Sequence, residues 1–263
     1  MTKIKTSPGK DERPGGPGDQ LTAPTKVSLR ESLSSKTPYV RFETWIVGDT
    51  PLIVHAWSQK AKLEMLSKQV KAVKAGGRAA RDPEQDFVDS LYDLGDGTYG
   101  FPTTGIKKAI LTPAHKDKGI AKSVVLSSLW LNTTIVRARP AFAGAICDMP
   151  ITRVYGSKPE MREDMVRVGV GLNKTASLAY RAQFRVWAMK LTGRFNGSVL
   201  PPETLSFLTN ESGLTSGLGE WRNEKSGVFG AYHIADEAEE RAWEEFKSGR
   251  GPLPEVISQM AAE

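Results

Sequence analysis

The residues best suited to chemistry sit in one short stretch, Ser216 to His233, reading SGLGEWRNEKSGVFGAYH. Its glycines tolerate positive φ and let backbone amides approach a ligand, while Arg222 and Lys225 add charge beside them. That combination suits an anion cradle and equally suits a plain turn. A second group lies in GFPTTGIKKAIL, Gly100 to Leu111. There Lys107 and Lys108 fall in the first turns of an expected helix, whose free amides already favour an anion. His55 follows the first expected strand, where an imidazole could act as general base on a ribose 2′-hydroxyl. The sequence names no acid to orient it.

Other chemistry is excluded or left without support. No G-x-x-x-x-G-K-[ST] loop, H-E-x-x-H helix, C-x-x-C pair or G-x-S-x-G elbow occurs. Gly169 and Gly171 in VGVGLN lack the strand, turn and helix of a dinucleotide site. The three histidines, His55, His115 and His233, are far apart in sequence, so neither a metal site nor a cofactor is expected. A single cysteine, Cys147, excludes an internal disulfide and a multi-thiolate zinc site and suits a reducing cytoplasm. With 36 Lys and Arg against 30 Asp and Glu, the net charge of +6 favours polyanionic partners. No apolar run reaches the length of a membrane helix, and the opening residues lack a signal peptide's apolar stretch. A soluble, cytoplasmic protein without a membrane partner is therefore expected.

The elements that must position these residues follow from periodicity. Residues 1–37 are rich in Pro, Gly, Ser, Thr and charge, and read as a flexible basic arm. TPYVRFETWIVGDTPLIVHAW alternates through Val40, Phe42, Thr44 and Ile46, predicting a strand, a break at Pro51 and a second short apolar run. Trp57, Ala61, Leu63, Leu66, Val70 and Val73 fall three or four apart with lysines between them, predicting an amphipathic helix. FVDSLYDL predicts a short helix and Asp96-Gly97 a tight turn. Thr103 or Thr104 is the expected N-cap of a helix carrying Ile106 and Ile110 on one face.

LWLNTTIVR ends as a strand, and ICDMPITRVYG is a strand whose Pro150 implies an edge or a bulge. Residues 159–171 leave helix and strand open. YRAQFRVWAMKLTGRF is the longest strand candidate, with Arg181, Gln183 and Arg185 on one face that Trp187, Met189 and Leu191 continue. PPETLSFLTNESG is a helix with prolines at its start and glycine after its end. VFGAYHI is a last strand, and residues 236–263 form an acidic helical tail carrying Trp243 and Phe246.

Three pieces together resemble the RAMP superfamily, the RRM-like proteins that form RNA-binding backbone and processing subunits of CRISPR effector complexes. They are FETWIVGDTPLIVHA, GFPTTGIKKAIL and GLGEWRNEKSGVFGAY, in the family's order. The whole chain is also similar to a recurring phage-encoded family without an assigned role, which would place it in a host cytoplasm. The resemblance implies an α+β, ferredoxin-like antiparallel sheet with helices on one face and insertions, spanning 38–235. It implies a non-catalytic protein that binds single-stranded RNA or DNA, RNA favoured, and assembles along it as a homo-oligomer, with a helical array as one form. Lys107, Lys108, Arg222 and Lys225 would then contact phosphates, Trp221 would stack on a base, and the Arg181, Gln183 and Arg185 face would line the groove. Glu220 and Glu224 depart from the family's loop by diluting its positive charge. A metal-independent endoribonuclease using His55, a phage assembly or virion protein, and a single-strand annealing protein stay open as alternatives.

Overall fold

Alternating side chains along β1 (Tyr39–Gly48) send Phe42 and Ile46 to one face of a sheet and Trp45 and Val47 to the other. Both faces are covered at the strand's C-terminal end, which is why its last four residues are all buried. The computed structural model describes residues 39–69, 82–117, 119–168 and 175–254. The chain divides into residues 1–37 and Pro38–Glu263, and only the second unit is described here. The expected arm, the last turn of the first helix and residues 169–173 of the VGVGLN segment lie outside the described residues.

After β1 come β2 (Leu52–Val54), α1 (Gln59–Gln69), α2 (Pro83–Ser90), β3 (Tyr99–Pro102), α3 (Thr103–Asp117) and α4 (Lys122–Ser128). Then follow β4 (Leu129–Leu131), β5 (Thr134–Arg137), β6 (Asp148–Gly156), β7 (Glu160–Val168), β8 (Thr175–Phe184), β9 (Trp187–Asn196), α5 (Pro202–Thr215), β10 (Tyr232–Ile234) and α6 (Glu237–Lys247). The fold is α+β. Its larger sheet runs β10-β1-β9-β6-β3, with β4 on β9 and β5 on β6, and every pairing in it is antiparallel. Taking β1, α3, β6, β9, α5 and β10 as a βαββαβ unit, the strands lie in the order fourth, first, third, second. That is the ferredoxin-like, RRM-like arrangement. A second sheet, β2-β8-β7, is the insertion.

Helices α3 and α5 bury Ile106, Ile110, Leu205 and Leu208 against Met189, Leu191 and Phe195 of the sheet, as the expected helical face requires. α3 and α5 share this one face of the expected domain, and the tail expected at 236–263 takes the other. α6 packs on the opposite face, where Trp243 is 1% exposed and stacks on Trp45 at 6.1 Å. The cause is its stripe of Trp243 and Phe246, which closes a separate apolar cluster with Val47 and Ala188. Asp236 starts this helix with a capping box shared with Glu239.

Two further expectations meet corrections, one open reading is settled and one expectation holds. The longest strand candidate is two strands in two sheets, because the chain bends at Arg185 and Val186 and leaves β8 for β9. Residues 160–168, left open between helix and strand, form β7, held by a nine-residue register with β8. Thr103 does not cap α3. Its hydroxyl instead meets those of Thr133 at 2.8 Å and Thr152 at 2.9 Å, tying the helix start to β6. Pro150 does stand at a local edge, because β5 pairs with it on one side while β3 on the other ends one residue away, at Ile151. No helix among the described residues is long and apolar enough to cross a membrane.

Candidate nucleic-acid interface

The three motifs lie far apart in the chain and meet at one cleft of about 180 Å³. His55 arrives from the end of β2, Phe101, Gly105 and Lys108 from β3 and the first turns of α3, and Ser216 to Glu220 with Arg222 and Glu224 from the glycine-rich segment. β2 can carry that segment because its register with β8 leaves the other edge of the strand open. Glu220 N donates to Ile53 O at 2.9 Å and Gly230 N to Pro51 O at 2.9 Å.

Those bonds explain the glycines. Gly219 has φ +77°, and a β-carbon there would overlap the Ile53 carbonyl. Glycine is required because the segment lies directly on the β2 backbone. The same geometry leaves few amides for a free-amide cradle. The amides of Gly217, Leu218, Glu220, Glu224, Lys225, Ser226, Gly227, Phe229 and Gly230 all donate to backbone carbonyls. They are spent on the loop's own structure.

Charge in the cleft is balanced rather than positive. Arg222 donates from Nε and Nη2 to Glu224 Oε2, at 3.1 and 2.7 Å, and from Nη1 to Gly219 O at 2.9 Å. The Arg222 bond holds the Glu224 carboxyl below its usual range despite some burial. His55 Nδ1 lies 3.4 Å from Glu220 Oε1. That contact, against an opposing effect of burial and aided by Arg181, keeps the Glu220 carboxyl low. Tyr92 donates its hydroxyl to His55 O at 3.2 Å, and burial followed by the nearby Glu220 pushes its pKa up to about 12.

Of the residues expected to bind nucleic acid, the structure groups some and separates others. Lys108 is exposed in the cleft, and Lys225 is exposed on the short helical turn Asn223–Lys225, close enough to Glu224 that both lysines act on its carboxyl. Neither forms an ion pair among the described residues. Trp221, between two lining residues, is 38% exposed and has φ 52°, a left-handed backbone that a bulky residue rarely adopts. Lys107 turns away to α4, donating to Leu126 O at 3.0 Å, and burial lowers its pKa. Arg185 pairs with Glu160 at 2.7 Å.

Arg181 is buried, with Asp164 3.7 Å away and its Nε and Nη1 without hydrogen bonds. Its neighbour Arg162 bonds Asp164 at 2.9 Å and Gln183 at 3.0 Å and lies 4.5 Å over the Phe229 ring. Arg181 is thus internal to the smaller sheet, while Arg185 on the same face stays exposed beside Glu160. Among the described residues no group of histidines, cysteines and carboxylates could hold a metal ion. Sequence reasoning missed Glu220, Tyr92 and Glu224 as partners, and the first two carry no local signal because they reach His55 across the fold.

No protein-family model matches the chain, and no curated protein is recognisably similar to it. Among solved structures, one chain of the type III-B Cmr-beta complex bound to cognate target RNA is similar at 12% identity and a TM-score of 0.36. The likeness covers 79% of this chain and 62% of that one. A likeness at that level carries no functional weight.

Proposed function

We propose that the protein binds single-stranded nucleic acid, RNA in preference to DNA, without cutting it, and assembles side by side along the strand. The observation that supports this most is the convergence of the three motifs on one cleft, with Lys108 and Lys225 free of ion pairs among the described residues and Trp221 exposed beside them. The two lysines supply a sequence-independent attraction to phosphates, and Trp221 offers a face on which a base stacks. Arg222 contributes shape rather than free charge, since Glu224 already holds it.

Fluorescence anisotropy with a short labelled oligoribonucleotide across a salt series tests this reading. Binding is expected to weaken steeply with salt, and Lys108→Glu with Lys225→Glu to reduce affinity at least tenfold and flatten the slope by about 1.4, two phosphate contacts' worth. Absent or salt-insensitive binding rejects it. Nuclease treatment before size exclusion tests the assembly, which is expected to collapse when its strand is cut.

The His55–Glu220 contact favours one second reading, a metal-independent endoribonuclease in which Glu220 orients His55 as general base. RNA left intact by both the wild-type chain and His55→Ala removes it.

A further inference from the structure

β6 and β9 begin as neighbours in the larger sheet and then part. They pair at Tyr155↔Ala188 and Gly156↔Trp187 and no further. Arg153 and Lys190, next in phase, do not pair with each other, although Gly100 of β3 and Trp45 of β1 pair with them on the far edges. Farther along, β4 takes the edge of β9 at Gly193 and β5 takes the edge of β6 at Ile151. The sheet therefore opens into a wedge, closed at one end by the short ladder and at the other by Asn132 and Thr133. Asn132 N donates to Thr192 O at 2.8 Å, its side-chain amide donates to Thr192 Oγ1 at 3.1 Å, and Thr133 Oγ1 donates to Ile151 O at 3.2 Å. Peptide groups alternate sides along a strand, so the bond at Thr192 O means that Lys190 also presents its N–H and C=O to the wedge.

The wedge holds a cavity of about 410 Å³ and shares no lining residue with the cleft of the three motifs. That volume lies within the roughly 300–1,000 Å³ of small-molecule sites. Hydroxyl and amide groups of Asn132, Thr133, Thr134, Tyr155 and Thr192 line it together with Ile151, Arg153 and Lys190. Both cations at its border are already matched: Arg153 by Asp96 at 2.5 Å, and Lys190 by Glu43 and Glu244. A phosphate would gain little from them. A peptide strand would not fit either, because the unpaired stretch spans only residues 152–154 of β6 before β5 takes over. What suits the wedge is a flat, uncharged group bearing several donors and acceptors. Unpaired peptide groups, hydroxyls and the half-buried Tyr155 ring would meet its edge and its face.

We propose that this wedge is a binding site for a single nucleobase, unstacked from the strand. The proposal rests on the nucleic-acid reading for its physiological source, but the site can be tested without it. Saturation-transfer NMR on the full chain with adenosine, guanosine, cytidine and uridine is expected to show transfer to the base protons of at least one nucleoside. Asn132→Ala with Thr192→Val, which removes both partners of one hydrogen bond, should weaken that nucleoside about fivefold. Salt-dependent binding of an abasic oligophosphate should stay unchanged in the same variant. If the paired change unfolds the chain, Tyr155→Phe at its half-open position provides the same comparison. Oligonucleotide binding with no nucleoside signal, or a signal equal in wild type and variant, overturns the site alone. A variant-sensitive nucleoside signal without oligonucleotide binding keeps the site and rejects the strand-binding reading.

Discussion

Arg222 shows how a cation can stand in a binding cleft and yet be unavailable. Glu224 takes two of its donors and Gly219 O a third, so its charge is answered before any ligand arrives. Glu224→Gln leaves a hydrogen-bonding side chain in place but removes that answer. Affinity for a single-stranded oligonucleotide is expected to rise several-fold and the salt slope to steepen by about 0.7, one phosphate contact's worth. Anisotropy at several salt concentrations measures both. The sequence displayed Arg222 and Glu224 two positions apart but not whether the carboxylate turns back on the guanidinium. His55 and Glu220 stand 165 positions apart, a pairing no local pattern can announce. Arg181 and Arg185 were readable as basic residues on one strand face, yet their partners Asp164 and Glu160 depend on the register of β7 against β8.

Among the elements, legibility followed length and one-sided burial. β1 and α6 could be read because one alternates over ten residues and the other carries an aromatic stripe behind an Asp cap. β2, β4 and β10 have three residues each, too few to establish a period. The join of β8 to β9 was hidden because alternation runs through the bend uninterrupted. The glycine-rich segment was legible as a motif but its purpose was not, since the need for Gly219 comes from the β2 backbone, distant in sequence. Gly219→Ala combines a positive φ with overlap on the Ile53 carbonyl, and is expected to cost more than about 1 kcal/mol in urea unfolding. The same change should loosen the cleft and weaken oligonucleotide binding in parallel.

For the molecule as a whole, α6 is fastened across the sheet by His233, whose Nδ1 lies 2.6 Å from Asp49 and Nε2 3.0 Å from Glu239. Asp49, acting against burial and helped by Glu239, pushes the imidazole pKa up to about 9. A folded pKa above the unfolded value means that the protonated form is favoured by folding. Its stabilisation is complete below about pH 6.5 and fades as pH rises through about 9. Solvent reaches a third of the side chain, which limits the effect to about 1 kcal/mol. Thermal melts from neutral to mildly alkaline pH should show Tm falling over that window, and His233→Gln should flatten the fall.

Burial on the two faces of the sheet divides the tryptophans by colour. Trp45, Trp187 and Trp243 are sealed inside, while Trp57, Trp130 and Trp221 meet water. Emission from the first three lies toward the blue and reports the integrity of the fold. Emission from the second three lies toward the red and is open to quenchers, with Trp221 standing beside the cleft. One unlabelled sample in a fluorimeter thus carries two separable channels, one for unfolding and one for occupancy of the exposed surface.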